Sequence, residues 1–319
     1  MTAARRRMAQ LAMSVAVLAL LLLFARHVDW RGAAAVIRTA DLRLVALAAA
    51  LNLVSLALKG VRWWVFLRPM GVRSLALSLR ATFAGASLNN LLVAQGGEGV
   101  RVLLVSRATG VSSARVLAAL AMERLLDAVS YLLLLVGAAW LLDVPPLIVR
   151  WRTPATGVLA LVALALVALT LWERADGPDP TGRLHGYLVR FAAGISELAS
   201  TPRLAVGMGL SLGAWALQVA TYHVAAIAAH LPIPITGSVA ALLTVGISFL
   251  VRATPGNVGV FQVVYALTAR SFGVAETPAI AAALLIQCVQ VLPTLVVGTL
   301  VTPRLTRATE DRVIPQERA

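Results

Sequence analysis

Long apolar runs, spaced along nearly the whole chain, limit what this sequence can fold into more than any other feature. A helix that crosses a bilayer needs about 20 consecutive, mostly apolar residues. Segments 9–28, 42–61, 114–142, 154–173, 204–231 and 278–302 meet that requirement. The hydrocarbon core leaves no water for unpaired backbone groups, so the spans are expected to be helices. The expected fold is therefore an all-α polytopic membrane protein, with residues 1–319 forming one integral membrane domain.

Composition agrees with the spans. The chain is 60% hydrophobic and 13% charged, where a soluble domain keeps roughly a quarter of its residues charged. The formal net charge is +14. A basic balance can signal nucleic acid, but nucleic-acid binders gather their charge in patches on a polar surface. Here the Arg residues sit between apolar runs, as membrane flanks do, so no nucleic-acid partner is expected. The heavy use of Ala, Val, Leu and Arg, with a single Lys at Lys59, has the look of a GC-rich bacterial genome. The one cysteine, Cys288, lies in an apolar run and excludes an intrachain disulfide. No metal site and no cofactor motif is found.

The N-terminus carries Arg5, Arg6 and Arg7 before the apolar run Leu11 to Ala25. Arg26, His27, Asp29 and Trp30 follow where a signal peptide would have its small-residue cleavage site, so the segment reads as an uncleaved first helix.

Two further apolar stretches, 75–94 and 236–253, are interrupted by polar residues and end in glycine-rich breaks. The first runs through Asn89 and Asn90 into Gly96-Gly97-Glu98-Gly99. The second ends at Arg252 and runs through Pro255-Gly256-Asn257-Val258-Gly259. A shorter amphipathic piece follows each, 100–109 and 258–272, and then a Gly-Val pair, Gly110-Val111 and Gly273-Val274. A long span completes each half. The matching order points to an internal duplication, with repeats at 9–142 and 154–302 and a polar cytoplasmic linker at 174–203.

If each break is the tip of a re-entrant hairpin, each half makes three full crossings and the second half is inverted. That gives about six transmembrane helices plus two hairpins. If the broken segments cross, the count rises to eight or so. With both termini cytoplasmic, the hairpin arrangement places most of the 28 Lys and Arg residues on the inside, in keeping with the positive-inside rule. Inverted repeats with broken helices mark the substrate path in many transporters, so the breaks are the first place to seek function.

Glycines at Gly96, Gly97 and Gly99 permit a tight turn and could expose N–H groups to an anionic headgroup, with Arg101 as a cationic partner beside Glu98. An ordinary cytoplasmic turn is the plainer alternative. Glu123, Arg124 and Asp127 lie inside the 114–142 span, with Glu123 and Asp127 at i and i+4 on one face. Buried ionisable groups are costly unless paired, so they face a bundle interior or a cavity. Either they contact a substrate, or they form a structural ion pair, Glu123 with Arg101 or Arg80. Asn89 and Asn90 could bond free backbone groups of the hairpin or contact substrate. Pro255, Gly256 and Gly259 shape the second break, where Asn257 and Arg252 are the candidate counterpart contacts; Arg252 could equally snorkel to the outer interface. Gln287 and Gln290 occupy the positions where the first half has acids. His223 reads as an interhelical hydrogen-bonder, and Trp63 and Trp64 beside Arg62 read as interface anchors. No hydrolase elbow, nucleotide loop or catalytic constellation appears, so an enzyme is not expected.

The run Asn89-Asn90, Gly96-Gly97-Glu98-Gly99-Val100-Arg101, Gly110-Val111 and Glu123-Arg124-x-x-Asp127 resembles the lysylphosphatidylglycerol synthase transmembrane-region family, also called flippase-like domain proteins. Pro255-Gly256-Asn257-Val258-Gly259 and Gly273-Val274 fit the same pattern, over roughly residues 10–305. The resemblance implies an integral protein of the bacterial inner membrane that handles lipid. In the family's bifunctional members this region is thought to translocate lysyl-phosphatidylglycerol, and stand-alone relatives occur near lipid, glycolipid or hopanoid genes. The soluble aminoacyl-transferase domain of the bifunctional members is not among these 319 residues, and synthesis of that lipid is not expected from them. Family members often carry an acidic residue soon after the second break; Gln262 stands there. The expected function is translocation of an anionic phospholipid or a polyprenyl-linked lipid or glycolipid. The alternative is a non-catalytic membrane subunit that partners a lipid-modifying enzyme or glycosyltransferase.

Overall fold

The computed structural model describes residues 30–91, 96–171, 198, 200–249 and 257–313. Span 9–28, most of the linker 174–203, and Arg252, Pro255 and Gly256 lie outside the described residues. Among those described, all regular structure is helical. The first half holds α1 (Trp30–Arg38), α2 (Leu42–Leu67), α3 (Leu75–Leu91), α4 (Gly96–Thr109) and α5 (Ser113–Leu141). A single turn, Pro146–Val149, leads to α6 (Arg152–Leu171). The second half holds α7 (Thr201–Ala228), α8 (Ile235–Ser248), α9 (Val260–Arg270) and α10 (Glu276–Val313).

Among the described residues, four stretches are long and apolar enough to cross a membrane: Leu42–Met70, Ser113–Leu141, Thr201–Ala228 and Glu276–Val301. Each overlaps one of the spans read from hydropathy. Their outward faces carry large apolar side chains such as Leu47, Val54, Leu133, Leu292 and Leu300. Such a girdle suits lipid and would be an aggregation hazard in water. By contrast α3, α4, α8 and α9 have 17, 14, 14 and 11 residues. At about 1.5 Å per residue each falls short of a hydrocarbon core about 30 Å thick. They pack as two pairs, α3 on α4 and α8 on α9.

Local chemistry fixes the turns. Asp41 caps α2, its carboxylate accepting from the N–H groups of Arg43 at 2.8 Å and Leu44 at 3.4 Å. Gly110 and Gly273 each end a short helix with φ of 75°. An L side chain is strained in that left-handed conformation, which is why a glycine precedes Val in both halves. The following valine tucks inward at Val274.

The most extensive helix contact is between α2 and α7, the span that opens each half's paired elements. Around this seam α3 lies on α10, and α5 touches α8. The interior is lined with small residues, including Ala225, Ala226, Ala228, Ala279, Ala281, Ala282 and Ala283. Without water to drive helices together in lipid, small side chains let the backbones approach and gain dispersion contact. Gly298 shows the limit, since a Cβ there would collide with Ser87. The serine hydroxyl donates to the Thr294 carbonyl at 2.7 Å and ties α3 to α10.

Two readings of the sequence need correction. The span read as 42–61 does not stop at residue 61, because α2 continues to Leu67. Trp63 is not an interface anchor; it is fully buried, as is Arg62. Charge normally ends a span, but here neighbouring helices supply partners that let it run on.

Candidate functional site

Two polar regions lie inside the apolar bundle, and α2 contributes to both. The first is a charged network around the first break. On α2, Arg62 reaches Glu123 at 3.2 Å and Asp127 at 2.8 Å, both on α5. It also bonds the Ser211 hydroxyl of α7. On α4, Arg101 pairs with Glu123 at 2.8 Å and with Glu98 at 3.2 Å. Its remaining contacts are the Thr82 hydroxyl at 3.3 Å and the face of Trp63, 4.2 Å from the ring centroid. Arg124 bonds Glu98 and lies 3.9 Å from Asp127.

The network therefore joins α2, α4 and α5 through three guanidiniums and three carboxylates. Glu123 is its hub, shared by Arg62 and Arg101 and only 2% exposed. Glu98, Arg101, Glu123, Arg124 and Asp127, singled out from sequence, come together here. The structural pair Glu123–Arg101 forms, with Arg62 rather than Arg80 as the second partner. Arg62, Ser211, Thr82 and Trp63 were not anticipated.

The break itself is held by Asn89. Its carbonyl oxygen accepts from the Gly97 N–H at 2.9 Å, and its amide donates to Glu98 at 3.3 Å. Gly97 lies against the Gly85 carbonyl, so close that a Cβ on either glycine would collide with the other arm. Gly99 faces open space. The second break has its own version of the joint. Gln262 accepts from the Gly259 N–H at 2.6 Å and donates to Gln287 of α10 at 2.5 Å. Asn257 is buried with φ of 59° and donates to Ser248 at 3.0 Å.

The second polar region is a cavity of about 270 Å³ between the halves. Its walls come from α2 (Asn52, Lys59), α3 (Asn90), α7 (Trp215, Gln218) and α10 (Gln290), among others. A chain of amides crosses it: Gln290 donates to Gln218 at 2.9 Å, and Gln218 to Asn52 at 3.1 Å. Asn52 closes the circuit on the Gln290 carbonyl at 3.2 Å. The two adjacent asparagines thus part company: Asn89 holds the break, while Asn90 lines the cavity. His223, on the far side of α7, contacts the Ser238 hydroxyl of α8 at 3.1 Å.

A signal for the unanticipated residues was present in the sequence. Asn52, Ser55, Lys59 and Arg62 recur at steps of three and four, one polar stripe along an otherwise apolar helix. Gln287, Gln290 and Thr294 form a similar stripe on α10. Among the described residues, no group of three His, Cys, Asp or Glu side chains is placed to hold a metal.

Two comparisons with known proteins bear on this arrangement. The sequence is 27% identical over 333 residues to the Glycosyltransferase AglD of Haloferax volcanii, an alignment covering 91% of this chain and 53% of that protein. The chain thus spans about half the length of this curated relative. Residues 10–298 match the family described as the lysylphosphatidylglycerol synthase TM region. That match takes in both breaks, the buried network and all or most of each span, and the chain belongs to this family.

Proposed function

We propose that this protein translocates the headgroup of an anionic phospholipid, or of a polyprenyl-linked lipid or glycolipid, across the inner membrane. The observation that carries the reading is the cavity enclosed by α2, α3, α7 and α10, where Asn52, Lys59, Asn90, Gln218 and Gln290 interrupt an otherwise largely apolar lining. A headgroup must shed water to cross, and amide and ammonium groups can replace part of its hydration. The acyl or polyprenyl chains would remain against the lipid-facing girdle. In this reading the halves are inverted repeats, the helix pairs are re-entrant, and both termini face the cytoplasm.

The role of each site residue follows its surroundings. Arg101 has its charge answered by Glu98 and Glu123, so it holds the break in shape, while Asn89 near the end of α3 and Gly96, Gly97 and Gly99 in the first turn of α4 are where the two arms meet. Arg124, half exposed at the edge of the network, is the guanidinium a passing headgroup meets. Arg252 and Asn257, with Pro255, Gly256 and Gly259, would serve the opposite side.

The test is reconstitution of the protein in liposomes with labelled phosphatidylglycerol, a polyprenyl phosphate and a neutral glycolipid. Movement of at least one lipid above protein-free vesicles is expected. No movement of any class would overturn the reading.

A second reading follows from the likeness to part of a protein named a glycosyltransferase. Here the chain is a membrane subunit that positions a partner lipid-modifying enzyme. It predicts that Glu98→Gln and Asn90→Ala leave an envelope phenotype intact while the protein inserts normally. Translocation predicts that Asn90→Ala impairs it.

A further inference from the structure

We infer that the central cavity is a phosphate subsite, with Lys59, Trp215 and Asn90 as the donors that select an anionic headgroup and reject a cationic one. It rests on the reading of this cavity as the path of a headgroup and names the chemistry the path accepts.

The charge balance is the first argument. In the network beside the cavity, Arg62, Arg101 and Arg124 are matched by Glu98, Glu123 and Asp127. Lys59 lies one turn before Arg62 on α2 and makes no ion pair among the described residues. The Asp127 carboxylate acts on it electrostatically, but that carboxylate is held by Arg62 at 2.8 Å. Lys59 is therefore a fourth basic side chain beside three carboxylates, set on the cavity wall without an ion pair among the described residues. No acidic side chain lines the cavity to answer it.

The second argument is the set of unpaired donors on the cavity wall. Trp215 lines the same cavity, and its buried indole N–H has no acceptor. The ammonium of Lys59 stands 5.8 Å from the centroid of that indole ring. Asn90 brings an amide that makes no hydrogen bond among the described residues. The other amides are already engaged, since Gln290, Gln218 and Asn52 bond one another in a neutral circuit.

Three donor groups, one of them a basic side chain without an ion pair among the described residues, call for an anion with several acceptor oxygens. Phosphate supplies them, and its hydrogen bonds to an ammonium are charge-assisted. The remaining space leaves room for a hydroxyl-bearing group against the amide circuit. A lysylated or otherwise cationic headgroup would meet Lys59 with no carboxylate to offset the repulsion.

The experiment uses the full chain in nanodiscs and measures binding of short-chain phosphatidylglycerol, its lysylated form and a neutral diacyl glycoside. Phosphatidylglycerol is expected to bind about ten-fold tighter than either of the others. Lys59→Gln should remove that preference, Lys59→Arg should retain it to within about three-fold, and Asn90→Ala should weaken it several-fold with normal folding. Displacement by inorganic phosphate would assign the site to the phosphate group itself. Failure of phosphate to displace, with Lys59→Gln still weakening the lipid, would assign it to a lipid phosphodiester. Equal binding of phosphatidylglycerol by wild type and Lys59→Gln, or equal binding of the lysylated lipid, overturns the inference. Unchanged translocation and headgroup selectivity in Lys59→Gln refute the site and leave translocation standing. Binding that depends on Lys59 without any lipid movement does the reverse.

Discussion

The two glycine-rich breaks solve one mechanical problem with different chemistry. In each half a short helix must be fastened to the long span that follows it. Between α4 and α5 the fastening is an ion pair, Arg101 to Glu123 at 2.8 Å. Between α9 and α10 it is an amide pair, Gln262 to Gln287 at 2.5 Å. Each break also satisfies a backbone N–H with a side-chain carbonyl, from Asn89 to Gly97 and from Gln262 to Gly259. The amide joint is nearly self-sufficient. The ionic joint draws in Arg62, Glu98, Thr82 and the face of Trp63, because a buried charge is costly unless other charged and polar groups surround it. One half is thus fastened by a local contact, the other by a network whose charges sit on three helices and whose hydroxyl partners sit on two more.

The comparison breaks most severely at its hub. Glu123→Ala leaves Arg62 and Arg101 without their shared carboxylate. Removing one partner of a buried pair costs about 3–5 kcal/mol, so thermal unfolding in detergent should show a sharply lowered midpoint or loss of the folded species. Converting the ionic joint to the other type, Arg101→Gln with Glu123→Gln, should be less damaging than the sum of the two single changes. The coupling expected between contacting residues is about 0.5–3 kcal/mol, and additive losses would show that the two joints are not equivalent.

Next comes the close approach at the first break. Gly97→Ala places a methyl group against the Gly85 carbonyl and Asn89. Overpacking of this kind costs about 1–3 kcal/mol, whereas Gly99→Ala, facing open space, should leave the same melting curve unchanged. At the second break Gln262→Ala removes neutral hydrogen bonds. The loss should be about 1–2 kcal/mol, smaller than that of Glu123→Ala; an equal loss would refute the distinction between the joints. The smallest effect belongs to Arg124→Ala. Its side chain is 51% exposed, and an exposed pair contributes up to about 1 kcal/mol. Any loss should shrink further when the melt is repeated at high salt.

Much of this organisation is legible in one dimension. Apolar length locates the crossing helices, and glycine pairs with a following valine locate the left-handed turns at Gly110 and Gly273. The i, i+4 spacing puts Glu123 and Asp127 on one face. What stayed hidden depends on partners distant in sequence. Lys59 and Arg62 resemble the basic flank at which a span normally ends, and only the carboxylates of α5 and the hydroxyl of Ser211 explain why α2 runs past them. Trp63 and Trp64 look alike beside Arg62. One packs against Arg101 with no exposure, while the other donates to the Arg73 carbonyl at 3.2 Å. The division of labour between Asn89 and Asn90 is equally invisible, because a turn of 100° per residue separates them only once the helix exists.

Lys59 has one more consequence, and it belongs to the bench. It is the only lysine in the 319 residues, so the chain's single ε-amine stands on the wall of the central cavity. An acylating reagent small enough to enter would place a tag there and, at a separable position, on the N-terminal amine. Occupancy of the cavity could then be followed as protection of one peptide in a mass spectrum, with the terminal amine as the internal standard.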